Sequence, residues 1–322
     1  MNVKSVVRPA LGLLLLVFAS LSAQAGPALV IEAKTGLVIY AEDADRSWHP
    51  ASLTKLMTAY IAFEELRDKK LTLEDKLKCS EHAHVQPPSK IGLPVGGEVS
   101  IDLGLKALIV KSANDVAVML AERIAGSEPA FVERMNATAQ RLGMTRTKFF
   151  NANGLPHDQQ VTTARDMAIL GRAIMNDFPE RAELFSMPSF KIGKRTLRSH
   201  NRLLKTFEGA NGLKTGFICA SGFNVVASAT RGDLSIMAVV LGAKSGGART
   251  AKASRLIQHG FDFYKWKVMF ASKLHQLKID EAVAGPGDMR MEVCKPAPAR
   301  KARKRIKPKA KAKDTPKPKP GA

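Results

Sequence analysis

The sequence predicts an α+β protein in which an antiparallel sheet draws strands from both chain ends around a central helical part. Three observations carry this. Ala28 to Tyr40, "ALVIEAKTGLVIY", reads as two apolar strands joined by a Gly-containing turn. Four segments between Ser52 and Asp177 place apolar residues at helical spacing. From Gly212 to Ala243, β-branched and aromatic residues alternate between Gly-rich turns, as strands of a sheet do.

The chain begins with Lys4 and Arg8, an apolar run from Ala10 to Ala19, and Ala23-Gln24-Ala25 before Gly26. A basic start, a short apolar stretch and a small-x-small site make a secretory signal peptide, expected over residues 1–25. The apolar run is shorter than the roughly 20 residues of a membrane span, and no later stretch is apolar enough. The mature chain is therefore expected in the periplasm, soluble or peripherally bound to the membrane. Three scattered cysteines, Cys79, Cys219 and Cys294, form neither a disulfide framework nor a metal-ligand pattern. An oxidising compartment permits one bridge without saying which. The default expectation is buried or idle thiols, with Cys219 simply packing near the site.

After the first hairpin, Pro50-Ala51 leads into "SLTKLMTAYIAFEELRDKK", where Leu53, Leu56, Met57, Tyr60, Ile61 and Phe63 fit a largely buried helix. "SANDVAVMLAERIAG" is a second helix closed by Gly126, and "EPAFVERMNATAQRLG" a third closed by Gly143. "TTARDMAILGRAIMND" is a fourth, with Thr162 or Thr163 as its N-cap. Strands follow to Ala243, and "TAKASRLIQHGFDFYKWK" returns to helix. Residues 26–270 then form one domain, and 271–294 a short linker or partial element.

The formal charge is +21, and Lys295 to Ala322 carries twelve Lys/Arg against one Asp, a net of +11. This Lys/Pro/Ala-rich tail has too little apolar surface to offset the entropy of ordering, so it is expected to be disordered. Clustered cations of this kind fit an anionic membrane surface or envelope polyanions. Nonspecific nucleic-acid binding is the other reading of such a tail, but the signal peptide argues against a genomic role and no specific nucleic acid is expected.

Ser52 and Lys55 stand three apart, on one face of a helix. A serine hydroxyl becomes a nucleophile when a neighbour takes its proton. A lysine can do so only if burial or another cation lowers its pKa, and Leu53, Leu56 and Met57 supply burial. Alone the pair is weak evidence. Two further motifs follow in order: Ser112-Ala113-Asn114 at a helix start, and Lys214-Thr215-Gly216 entering a strand. Read alone, Ser112 is an ordinary N-cap serine and Lys214-Thr215-Gly216 an ordinary turn. Gly216 within a strand marks a close approach of a ligand or another backbone.

Together the three resemble the S-x-x-K, S-x-N and K-T-G triad of the serine penicillin-recognising enzymes. "PASLTKLMTAY", "KSANDVAVMLAERIAGS", "FVERMNATAQRLGM", "TARDMAILGRAI" and "GLKTGFICASGFNVVASA" are similar to the D-alanyl-D-alanine carboxypeptidases, the low-molecular-mass penicillin-binding proteins. The resemblance runs from about Ala28 to Tyr264 and implies a β-lactamase/transpeptidase-like fold. It also implies that Ser52 acylates on a stem peptide of peptidoglycan, that Lys55 is the general base and that Ser112 is a proton shuttle beside Asn114. Lys214 and Thr215 would hold the substrate carboxylate, and the backbone N–H groups of Ser52 and Phe217 would form the oxyanion hole. Arg202 in "SHNRLL" is a further carboxylate-binding candidate. No metal or cofactor is implied, and β-lactams are expected to inhibit.

The sequence departs from the family after Tyr264, where the remainder is too short for the usual second domain and membrane-anchoring helix. A β-lactamase would need a deacylating glutamate in an E-x-x-L-N segment between Asn114 and Lys214, which is missing. A DD-endopeptidase is the nearer alternative. A silent peptidoglycan-binding relative fits less well, because every triad residue is present.

Overall fold

The structure is a computed structural model and describes residues 26–277 and 285–294. The predicted signal peptide and basic tail lie outside the described residues. In chain order the strands are β1 (Ala28–Glu32), β2 (Val38–Glu42), β3 (Lys76–Lys78), β4 (Glu98–Ser100), β5 (Ser189–Ile192), β6 (Arg195–Arg198), β7 (Ala210–Ile218), β8 (Gly222–Arg231) and β9 (Leu234–Ala243). Five form one sheet in the order β2-β1-β9-β8-β7, and the paired strands are antiparallel. The first hairpin of the chain therefore pairs with its last strand, as expected from the strand texture at both ends. β3 with β4 and β5 with β6 make two small ribbons that the sequence reading did not anticipate.

Side chains alternate across the sheet, and both faces are covered. Leu29, Ile31, Val226, Met237 and Val239 join the core beneath the helical part. Val30, Val225, Ala227, Ile236 and Ala238 pack with Ala253 and Ile257 of the Gly246–Lys267 helix. Each fully buried Val, Leu or Ile contributes roughly 1.5–3 kcal/mol, so this two-sided burial holds the layers together.

The Lys55–Arg67 helix runs through the middle, with Leu56, Met57, Ala59, Tyr60, Ile61, Ala62 and Phe63 almost inaccessible. A helix buried on every side has no solvent stripe, so a lysine on it is desolvated wherever it points. The expected helices appear at Asn114–Ala125, Glu128–Leu142 and Ala164–Asp177. Gly126 and Gly143 close the first two in the left-handed region, and the Thr163 hydroxyl caps the third by accepting from Asp166 N.

The C-terminal segment is attached to this body. Leu274 and Leu277 carbonyls accept from Arg165, Lys273 bridges Leu37, and Cys294 is disulfide-bonded to Cys219. This corrects the expectation of idle thiols for two of the three cysteines. Cys79 remains free and buried.

Candidate active site

Ser52 lies on a single 3-10 turn, Ala51–Thr54, and the α-helix proper begins at Lys55. Strand β7, the edge of the sheet, runs alongside. A Cβ on Gly216 would sit 3.0 Å from Pro50 O and 3.1 Å from Ser52 N, tighter than a side chain tolerates without a shift. Glycine at this position is what lets the strand edge close on the serine turn, as its place in the strand predicted.

Lys55 is 0 % exposed. Its Nζ is 2.7 Å from Asn114 Oδ1, 2.5 Å from Asn153 O and 3.1 Å from Ser52 Oγ. The first two partners are pure acceptors in this orientation, since Asn114 Nδ2 donates to Pro87 O. A neutral amine has two hydrogens and one lone pair. With the amine neutral, its hydrogens would go to Asn114 and Asn153 and its lone pair to the Ser52 hydroxyl. Burial holds the Lys55 pKa well below the ordinary lysine value, and the charge of Lys214 lowers it further. Asp115 opposes this from a distance, but its oxygens accept from the backbone of Ile91, Gly92 and Val116.

Lys214 is 2 % exposed, and its Nζ donates to Ser112 Oγ at 2.8 Å and Thr215 O at 2.9 Å. Burial, then the charge of Arg249, pushes its pKa down to about 7. Ser112 is not the N-cap that local reading offers: Ala113 occupies that position, without a side-chain cap. Ser112 instead adopts φ +61° and ψ +40°, after a π-helical turn at Ala107–Lys111. A left-handed serine costs of order 1–3 kcal/mol and persists where its surroundings impose it. Here that conformation accompanies the hydroxyl's hydrogen bond to Lys214.

Ser52, Ser112 and Asn114 line an open cavity of about 460 Å³ with Pro88, Leu155, Thr215, Phe217, Phe223, His200 and Arg249. Arg249 is 6 % exposed, and burial lowers its pKa to about 10, so it stays charged at neutral pH. It donates to His200 O. The His200 imidazole is pushed down by burial and by Lys214, Lys111 and Arg249. Arg202 is exposed at the N-terminal end of the Leu203–Thr206 helix and is outside this lining. Sequence reasoning therefore missed Arg249, the Asn153 carbonyl and His200. One signal was available: an arginine in the first turn of a helix opposes the helix dipole, so it wants another reason to be there. Among the described residues no group of three or more His, Cys, Asp or Glu is arranged to hold a metal ion.

A D-alanyl-D-alanine carboxypeptidase family model matches residues 17–245. The chain belongs to that family. It is 36% identical over 244 residues to the D-alanyl-D-alanine carboxypeptidase DacC of Escherichia coli, covering 74% of this chain and 61% of the relative. It is 33% identical over 250 residues to DacF of Bacillus subtilis, covering 76% and 64%. The chain thus spans less than two thirds of the length of these curated relatives. Among solved structures, penicillin-binding protein 5 from Haemophilus influenzae superposes with a TM-score of 0.72 at 34% identity, over 74% of this chain and 71% of that one. Penicillin-binding protein D2 from Listeria monocytogenes, in its cefotaxime-bound form, gives 0.67 at 32% identity over 74% and 97%. The fold is that of the penicillin-binding proteins.

Proposed function

We propose that this protein is a serine D-alanyl-D-alanine carboxypeptidase that removes the terminal D-alanine from peptidoglycan stem pentapeptides. The observation that carries this is the buried Lys55 amine, 3.1 Å from Ser52 Oγ, with its pKa held well below the ordinary lysine value by burial and the charge of Lys214. The family and the penicillin-binding relatives supply the substrate class.

Ser52 Oγ attacks the carbonyl between the two D-alanines as Lys55 takes its proton. The oxyanion is held by the backbone N–H groups of Ser52 and Phe217, the latter following Gly216, where the strand edge closes on the serine turn. The proton returns to the leaving amine through Ser112, which Lys214 holds in place and whose hydroxyl lines the cavity. Lys214 and Arg249, with the Thr215 hydroxyl, receive the substrate's terminal carboxylate, and this cationic wall selects peptides that end there. Water then attacks the acyl-enzyme, with Lys55 as base again. Atoms and protons balance with these side chains alone, so no metal or cofactor enters.

The mature chain is placed in the periplasm by its signal segment. Its tail, Lys295 to Ala322, is suited to anionic membrane or envelope polymers. Exposed Trp266 and Phe270 beside Lys265 and Lys267, at the end of the last long helix, support a peripheral membrane contact. Among the described residues no helix is long and apolar enough to cross a membrane. Cosedimentation with anionic vesicles should fall when residues 295–322 are removed; equal binding sinks the tail's role.

The deciding experiment incubates the mature protein with benzylpenicillin and, separately, with a pentapeptide ending in D-alanyl-D-alanine. A stable adduct on Ser52 and free D-alanine are expected. An adduct without D-alanine release would move the reading to a DD-endopeptidase, and rapid drug turnover to a β-lactamase.

A further inference from the structure

The turn that ends β7, Cys219 to Ser221, is gripped from outside at three successive residues. Cys219 is disulfide-bonded to Cys294, with 5.6 Å between Cα atoms and a sequence separation of 75. Ala220 O accepts from Met289 N at 2.9 Å, and the Met289 side chain is 5 % exposed. Ser221 O accepts from the Trp48 indole N–H at 2.9 Å. Trp48 is itself covered by the same C-terminal segment. A Cβ on Gly287 would meet the indole at 2.0 Å, and Gly287 N donates to Ser47 O. Residues Gly285 to Cys294 thus make a strap that crosses Trp48 and ends on the turn.

The position of this turn bears on the chemistry. Phe217 and Ile218 immediately precede it and both line the cavity. β7 is the edge of the sheet, with β8 on one side only, so strand pairing restrains it less than a central strand. The N–H assigned above to the oxyanion hole lies two residues from the disulfide.

We propose that Gly285–Cys294 is a positioning element for the Phe217 side of the active site, kept docked by the Cys219–Cys294 bond. This rests on the serine-acylation reading of Ser52. The strap also sets where the basic tail begins, because Cys294 is bonded to the turn beside the cleft. Releasing it loosens the turn, and a displacement of the order of 1 Å in an oxyanion donor is enough to slow acylation roughly tenfold or more.

The test follows acylation of the full mature chain by benzylpenicillin at 20 °C in the oxidised, reduced and reoxidised states, with near-UV circular dichroism on each. The expected result is a roughly tenfold slower second-order rate on reduction with the dichroism retained, and recovery on reoxidation. Cys294→Ser should reproduce the slow rate. Gly287→Val keeps both cysteines but wedges a side chain against Trp48, and it should also slow acylation. Rates within twofold of the oxidised protein in all of these, even with a lower melting temperature, would overturn the proposal and leave the bond as a stabilising staple. Failure of the oxidised wild type to acylate would remove the serine reading itself, which is a separate result.

Discussion

Arg165 and Lys55 are both nearly inaccessible, at 6 % and 0 % exposure, yet only one is matched by a carboxylate. Arg165 meets Asp45 in a fork, Nε to Oδ1 at 2.5 Å and Nη2 to Oδ2 at 2.6 Å, and its remaining nitrogen donates to Leu274 and Leu277 carbonyls. Around Lys55 the largest charge effect is that of the cation Lys214, while the opposing Asp115 accepts from the backbone of Ile91, Gly92 and Val116. Desolvation disfavours a charge in either place. In the first the carboxylate compensates, and the same guanidinium ties the C-terminal segment to the body. In the second, burial and the Lys214 charge outweigh the pull of Asp115, and the pKa of the amine falls well below the ordinary lysine value. A buried cation serves structure where it is paired and chemistry where it is not.

The sharpest way to break this contrast is Lys55→Met, which keeps the apolar stem and removes the amine. Acylation by penicillin should fall at least about 10³-fold, within the upper range for a general base, while chemical denaturation shifts by less than about 2 kcal/mol. A comparable loss of stability would mean that Lys55 is structural. Asp45→Asn should do the opposite. Leaving Arg165 buried without its charge partner is expected to cost about 3–5 kcal/mol, with the acylation rate of the folded fraction unchanged.

Asp166 is an intermediate case, since it is buried, accepts from Arg146 N and Thr147 Oγ1, and feels a charge from Arg165 that only partly offsets its burial. Burial raises its pKa from 3.8 to about 6. The folded chain therefore binds more protons than the unfolded one between those values. Stability should fall as pH rises from about 4 through 6, by up to roughly 3 kcal/mol, and Asp166→Asn should abolish that slope. An unchanged slope in the variant would assign it to another group.

The smallest expected effect concerns the cationic wall. If Lys214 binds the substrate carboxylate as an ammonium, kcat/KM should decline as pH rises through its pKa of about 7. The limb in kcat should lie higher, because bound carboxylate stabilises the ammonium. Arg249→Ala removes the neighbouring charge that lowers Lys214, so the kcat/KM limb should move to higher pH. KM for the pentapeptide should rise about tenfold, the scale of one charge-assisted hydrogen bond. A limb that stays in place would uncouple the two cations.

How much of this was legible in the sequence depends on how local each feature is. The hairpin at Ala28–Tyr40, the helices closed by Gly126 and Gly143, and the Thr163 cap follow from side-chain periodicity and capping chemistry within a few residues. The pairing of Ser52 with Lys55 is equally local. Ser112 lines the cavity and accepts from Lys214, but local reading made it an N-cap, because nothing nearby reveals the left-handed backbone that its tertiary setting imposes. Arg202 is exposed at the start of the Leu203–Thr206 helix and outside the cavity lining, and Arg249 has the buried place on the wall.

The sequence by itself determined the element types, the order of the three motifs and the uneven distribution of charge, since these depend on neighbouring residues and composition. Tertiary structure alone decided which cations share a desolvated space, which carbonyl engages Lys55, and that Cys219 meets Cys294. Those outcomes depend on distances and burial between residues far apart in the chain, and it is burial beside a second cation that lowers the pKa of an ordinary lysine toward that of a base.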